Sequence, residues 1–263
     1  MTVTAGSVED RLILAGRVET RVYTDAGRQA RRVLSVAAPE GTDDLFWLLL
    51  GWVAGLASPD RIPLLRGVAP LRSSPDDLKA LCAAFGTTSG APMLHVAGVT
   101  PEAHLPPAAG ADAQEIPLAA LQDAWRALAR GPRQIDLVAI GSPHALAGEV
   151  RRLAAMLAGQ SRHPETAVIV TLGRDVLAKA GRDGTQAALQ AAGVRLLPDL
   201  CWCSITEPLF PPPARGVMTN SGKYAHDAHG LSGRHARLGS LADCIQAALP
   251  GLVPKTPPGW LAG

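Results

Sequence analysis

The chain has 263 residues, enough for one large domain or two small ones with a sizeable core. Hydrophobic residues make up 47% and charged residues 18%, the reverse of the balance that keeps a chain disordered. Lys and Arg number 25 against 23 Asp and Glu, a net charge of +2, and the nearest thing to a basic cluster is the short group Arg28 with Arg31 and Arg32, so no nucleic-acid partner is expected. The strongest apolar run, Leu45 to Ala57, is broken by Gly51 and Gly55 and falls short of the about 20 residues that span a bilayer. Met1-Thr2-Val3-Thr4 lacks a basic stretch leading into an apolar one. No signal peptide and no membrane partner are therefore expected, and the expected location is cytoplasmic.

Residues 1–38 read as an N-terminal segment of β character, because Val18 to Tyr23 alternates apolar and polar in part. Residues 39–130 read as a mixed α/β region. Asp43 and Asp44 precede the apolar run at Leu45, as acids do at a helix start, and Ser58-Pro59 ends it. Ser74 with Pro75 predicts an N-cap and first turn for a helix running to about Phe85. Cys82 in that helix reads as a small buried hydrophobe. Met93 to Ala97 reads as a short buried strand, Ala103 to Ala113 as a surface loop, and Leu118 to Leu128 as a helix stopped by Gly131-Pro132.

Residues 131–263 carry a regular alternation. Strands are predicted at Ile135–Ile140, Ala167–Leu172 and Val194–Leu197, with helices at Gly148–Leu157, Asp175–Ala180 and Thr185–Ala192 between them. Strand–helix–strand order implies an α/β fold with an open parallel sheet and flanking helices. In such sheets ligands bind beyond the carboxyl ends of the strands. Three polar loops fall there: Gly141-Ser142-Pro143-His144, Cys201-Trp202-Cys203, and Thr219-Asn220-Ser221-Gly222-Lys223 after a short strand at Gly216–Met218.

Each loop carries candidate chemistry. Thr219 to Lys223 is rich in donors, Gly222 permits close backbone approach, and Lys223 suits a carboxylate or phosphate, although the P-loop spacing is absent. His144 reads equally as a general acid or base and as a solvated turn residue. Cys201-x-Cys203 offers thiolates to a metal or iron–sulfur cluster, with one ligand expected from the pair and Cys244 expected to be packed in a helical run. His226, His229 and His235 crowd the segment after Lys223, where a three-histidine metal site is conceivable but the spacing is loose.

At these loops the sequence resembles the aconitase X family of hydro-lyases, from about Asp43 to Leu249. The most specific stretch is Met218-Thr219-Asn220-Ser221-Gly222-Lys223-Tyr224-Ala225-His226, followed by Gly239-Ser240-Leu241-Ala242-Asp243-Cys244. Arg61-Ile62-Pro63, Asp76 to Leu81, His95 to Ala103, Gly141 to His144 and Pro198 to Cys203 add to it in order. The resemblance implies an aconitase-like α/β fold and dehydration of a small hydroxy acid, with an iron–sulfur cluster as Lewis acid on the leaving hydroxyl. It implies Cys201 as a cluster ligand, with Cys203 and Cys244 behind it. Thr219, Asn220, Ser221, Gly222 and Lys223 become substrate-binding residues, and Ser142, His144, Ser221 and Lys223 the catalytic set. Ser142 stands where the phosphomevalonate branch of the family has cysteine, which leans toward the hydroxyproline branch.

Several positions depart from the family pattern. Leu200 replaces a Thr, and Asp227 and His229 replace Tyr and Pro. No Thr-Cys-x-Pro-Tyr motif is present, so the chain is expected to begin after the portion carrying another cluster cysteine, and the family's small swivelling domain is also expected to lie elsewhere. The expectation is a subunit whose cluster and site are completed by ligands from a partner chain. The alternatives are a binding or regulatory relative that has lost the cluster, or a zinc or iron hydrolase using His226, His229 and Cys201.

Overall fold

The structure, a computed structural model, describes residues 24–253 and 256–262; the strand expected at Val18–Tyr23 lies outside them. Two parallel sheets are formed where the sequence suggests one. The first contains β1 (Arg32–Val36), β2 (Pro63–Arg66), β3 (His95–Val96) and β4 (Asp112–Ile116) in the order β3-β2-β1-β4. With it come α1 (Asp25–Arg28), α2 (Asp44–Ala57), α3 (Pro75–Thr88) and α4 (Leu118–Leu128). Of its strands only β3 is predicted, and β4 begins inside the stretch read as a loop.

The second sheet contains β5 (Leu137–Ala145), β6 (Ala167–Leu172), β7 (Val194–Pro198), β8 (Val217–Thr219) and β9 (Ala236–Leu238), ordered β7-β6-β5-β8-β9 and parallel throughout. Its helices are α5 (Ala147–Met156), α6 (Arg174–Arg182), α7 (Thr185–Ala191), α8 (Gly222–Ser232) and α9 (Leu241–Ala248), and α10 (Gly259–Ala262) follows. Gly141 to His144, read as a turn, is instead an irregular continuation of β5, whose register to β6 shifts between Ile140 and Ala145. Gly141 has φ +96° and lies so near the Thr171 carbonyl that a Cβ would collide with it. The segment after Ser221 is not a loop but α8, capped by Ser221.

α2 holds the first half together. Asp43 caps it by accepting from the Leu45 N–H at 3.2 Å, and every residue from Leu45 to Gly51 is buried, as expected for a helix apolar on all sides. Gly51 and Gly55 face α3, where a Cβ at either would strike the Leu81 carbonyl or the Thr88 hydroxyl. α3 starts with a full capping box between Ser74 and Asp77. Cys82, expected to be buried, is exposed, because it lies on the face of α3 away from Leu81, Ala84 and Phe85. Around the second sheet, one face packs on α5, α6, α7 and α9. The other holds Trp202, Phe210 and Tyr224. No helix among the described residues is long and apolar enough to cross a membrane.

Candidate active site

In the second sheet the strand order reverses between β5 and β8. A doubly wound sheet opens a crevice at such a point, and here the crevice is roofed by helices of the first half. It is a cleft of about 30 Å³ lined by Gly141, Ser142 and Pro143 of β5, Asn220 after β8, and Glu149 and Arg152 of α5. Asp44 and Leu48 of α2 and Asp76, Asp77, Lys79 and Ala80 of α3 close it from above.

Of the predicted site residues, Ser142 and Asn220 line this cleft, while His144, Cys201, Thr219, Ser221, Gly222 and Lys223 lie outside its lining. Ser142 is buried, and its carbonyl accepts the hydroxyl of Ser221. Ser221 also accepts from the Tyr224 N–H at 3.0 Å, so both hydrogen-bonding roles of its buried hydroxyl are engaged in tying β5 to the start of α8. Asn220 donates from Nδ2 to Glu149 Oε1 at 2.6 Å. His144 Nε2 donates to the Leu200 carbonyl at 2.9 Å, and the His144 carbonyl accepts from Lys79 Nζ. Thr219 is fully buried, and its Oγ1 has no hydrogen-bond partner. Gly222 approaches protein rather than open space: a Cβ there would sit 3.0 Å from that of Ala84.

Lys79, Glu149, Asp76, Asp44 and Arg152 are absent from the sequence-derived set. Glu149 is buried, with Oε2 3.7 Å from Lys79 Nζ. Burial pushes its carboxyl up, while Lys79 and then Asn220 favour the charged form. Asp44 is pushed up to about 6, chiefly by burial, although Oδ2 accepts from the Leu241 N–H at 2.9 Å. Asp76 places Oδ2 3.8 Å from Arg152, and its buried Oδ1 has no partner. One signal for Glu149 is in the sequence: it precedes Leu153 by four residues, so a carboxylate stands in the apolar stripe of α5.

Cys201 and Cys203 flank the first residue of a short 3-10 turn, Trp202–Ser204, and both are exposed. Burial of its sulfur pushes the Cys203 thiol up, a hydrogen bond shared with Cys201 adds to this, and Lys223 opposes it. Lys223 and the two thiols thus form one local group. Cys244, within α9, is fully buried, its thiol pushed well up by burial. An iron–sulfur cluster takes three or four protein ligands, and two neighbouring thiols do not make that set. Among the described residues no group of three His, Cys, Asp or Glu is placed to hold a metal. The three-histidine arrangement does not form: His226 accepts from Trp52 Nε1 at 3.2 Å, while His229 stacks on His235 at 4.3 Å.

Two further parts of the quoted motifs are explained by folding. Ser240 and Asp243 form the capping box of α9, and a Cβ on Gly239 would press on Met218 and Asp243.

Residues 30–126 match the sequence profile of the aconitase X second domain, and residues 135–250 that of the aconitase X third domain. The chain is 46% identical over 246 residues to cis-3-hydroxy-L-proline dehydratase of Pseudomonas aeruginosa, covering 91% of this chain and 42% of that protein. With the enzyme of the same name from Hypocrea jecorina it shares 41% over 236 residues, 87% of this chain and 40% of the other. It is 29% identical over 214 residues to the phosphomevalonate dehydratase large subunit of Methanosarcina mazei, 77% of this chain and 48% of that one. The crystal structure of Thermococcus kodakaraensis aconitase X in its holo-form aligns with a TM-score of 0.75 at 25% identity, over 86% of this chain and 57% of that one. The chain therefore spans about two fifths of the length of the two hydroxyproline dehydratases. Both sheets fall within matched domains, in the family's order, and the chain belongs to the aconitase X family.

Proposed function

We propose that this chain is part of a hydro-lyase that removes water from a small hydroxy acid of the hydroxyproline type, at the cleft between β5, β8 and the α2–α3 pair. The observation that carries the reading is the composition of that cleft. A buried carboxyl, Glu149, pushed up by its burial, lies beside a lysine and an amide at the point where the strand order reverses. The 46% identity to a protein named cis-3-hydroxy-L-proline dehydratase supports the substrate class.

Dehydration takes a proton from carbon and gives one to the departing hydroxyl. Glu149 is the group we assign to hold a proton there, with Lys79 and Asn220 setting its position. Ser142 lines the cleft, and outside its lining we assign Lys223 to the substrate carboxylate and His144 to the approach. Ser221 keeps β5 and α8 in register, and Thr219, Asn220 and Gly222 shape the same turn. Cys201 is the thiolate we assign to an iron–sulfur cluster, with Cys203 beside it and the remaining ligands from a partner chain. This chain's own thiols do not hold a cluster alone.

The test is anaerobic co-expression with candidate partner chains, followed by iron and sulfide analysis and assay of cis-3-hydroxyproline turnover. Iron-loaded complexes that dehydrate the substrate, with iron lost in Cys201→Ser and KM raised in Lys223→Ala, are expected. Iron-loaded complexes with no turnover of any hydroxy acid would overturn the reading. Saturable hydroxyproline binding without iron in every complex would favour a non-catalytic relative instead.

A further inference from the structure

A second cleft, of about 120 Å³, shares no lining residue with the first. Trp125 and Ala129 of α4, Arg133, Met218, Arg237 and Leu238, and Val253, Thr256 and Pro258 of the C-terminal segment form most of its wall. Two arginines meet here. Arg237 is half-buried and gives Nη1 to the Ala129 carbonyl, leaving its other N–H groups for a further acceptor. Arg133 is exposed, and its backbone carbonyl is held by the Val253 N–H at 3.0 Å.

Neither guanidinium has a carboxylate within 4.0 Å among the described residues. Asp243, the one acid in the lining, has Oδ2 accepting from the Ser240 N–H at 3.0 Å in the α9 capping box. Burial, and then the charge of Arg133, make the Arg237 cation harder to keep. Two guanidinium groups beside a single carboxylate, itself held in the capping box, leave the concave site with an excess of positive charge, which an anion offsets, and guanidinium forks match the oxygens of a phosphate.

We propose that the cleft between α4, β9 and the C-terminal segment is a binding site for a phosphate-sized oxyanion, held by Arg133 and Arg237. Its walls come from both halves of the chain, so the anion bridges α4 to the second sheet. The site is independent of the dehydratase reading.

The test is calorimetric titration of inorganic phosphate into the full chain, with acetate and chloride at matched ionic strength. One saturable phosphate site is expected, weakened at least tenfold in Arg133→Gln and in Arg237→Gln, with no saturable binding of acetate or chloride. Arg237 also supports Ala129, so exposed Arg133 decides the matter if Arg237→Gln does not fold. Absence of saturable phosphate binding, or unchanged binding in Arg133→Gln, would overturn the proposal. Equal binding of acetate or chloride would overturn it as well.

Discussion

Each sheet reverses its strand order once, between β1 and β4 in the first and between β5 and β8 in the second. The first reversal opens onto a shallow hollow of about 500 Å³ along Ser35 to Ala37 and Ala113 to Glu115, where Glu115 is the one ionisable residue among the described residues of the lining. The second is roofed by α2 and α3 and lined by four acids and two bases. Topology supplies an opening in both places. Chemistry is concentrated only where a second layer, carrying its own charges, closes over the opening and removes water, which strengthens every charge inside it.

That contrast can be broken experimentally. The largest expected effect is on rate: in the reconstituted complex, Glu149→Gln keeps the contact with Asn220 but lowers dehydration about 10²–10⁴-fold. Glu115→Gln at the other reversal leaves the rate unchanged, as read from kcat in the same assay. Next is the roof. Leu49 is fully buried in α2, so Leu49→Ala is expected to cost about 2–5 kcal/mol in urea melts.

Asp44 tests the charge of the roof. Its carboxyl is held at about 6 in the folded chain against 3.8 as the ordinary value, so ionisation opposes folding. Below about pH 4 the group is protonated in both states and costs nothing. The cost grows as pH rises toward 6 and stays constant above it, reaching about 3 kcal/mol at most. Asp44→Asn keeps an acceptor for Leu241 and is expected to flatten this fall in a series of melts from pH 4 to 7.

The smallest effects separate two glycines. Gly51→Ala drives a methyl into the Leu81 carbonyl and is expected to cost about 1–3 kcal/mol. Gly86→Ala in α3 meets nothing within 4 Å and is expected to stabilise by about 0.5–1 kcal/mol.

Local signals explain what could be read in advance. Asp43 before an apolar run, and Ser74-Pro75 with Asp77 three residues after the cap, announce α2 and α3 through capping chemistry that needs no tertiary context. The buried run Ala167 to Leu172 announces β6 in the same way. By contrast β4, Asp-Ala-Gln-Glu-Ile, is exposed except at Ile116 and shows no alternation, because it is an edge strand paired only with β1. α8 carries two glycines and two histidines in its eleven residues, and its cap at Ser221 was indistinguishable in sequence from a binding turn.

The site divides along the same line. Ser142 and His144 lie in the last part of β5, and Asn220 and Lys223 follow β8, so all four could be placed by the rule for strand ends. Lys79, Asp76 and Asp44 come from the other half of the chain, and no local pattern brings distant helices over a sheet. The tertiary packing of α3 against β5 and α8 does that.

Gly222 gives this packing a further meaning. A Cβ at Gly222 would meet Ala84 of α3 and the Leu48 backbone of α2, while the charge of the next residue, Lys223, acts on the Cys203 thiol. Lys79 stands on the same α3, five residues before Ala84. The span between the two lysines is therefore gauged by a single hydrogen atom at Gly222. A Cβ there would press on Ala84 and shift the start of α8, and Lys223 with it, away from α3.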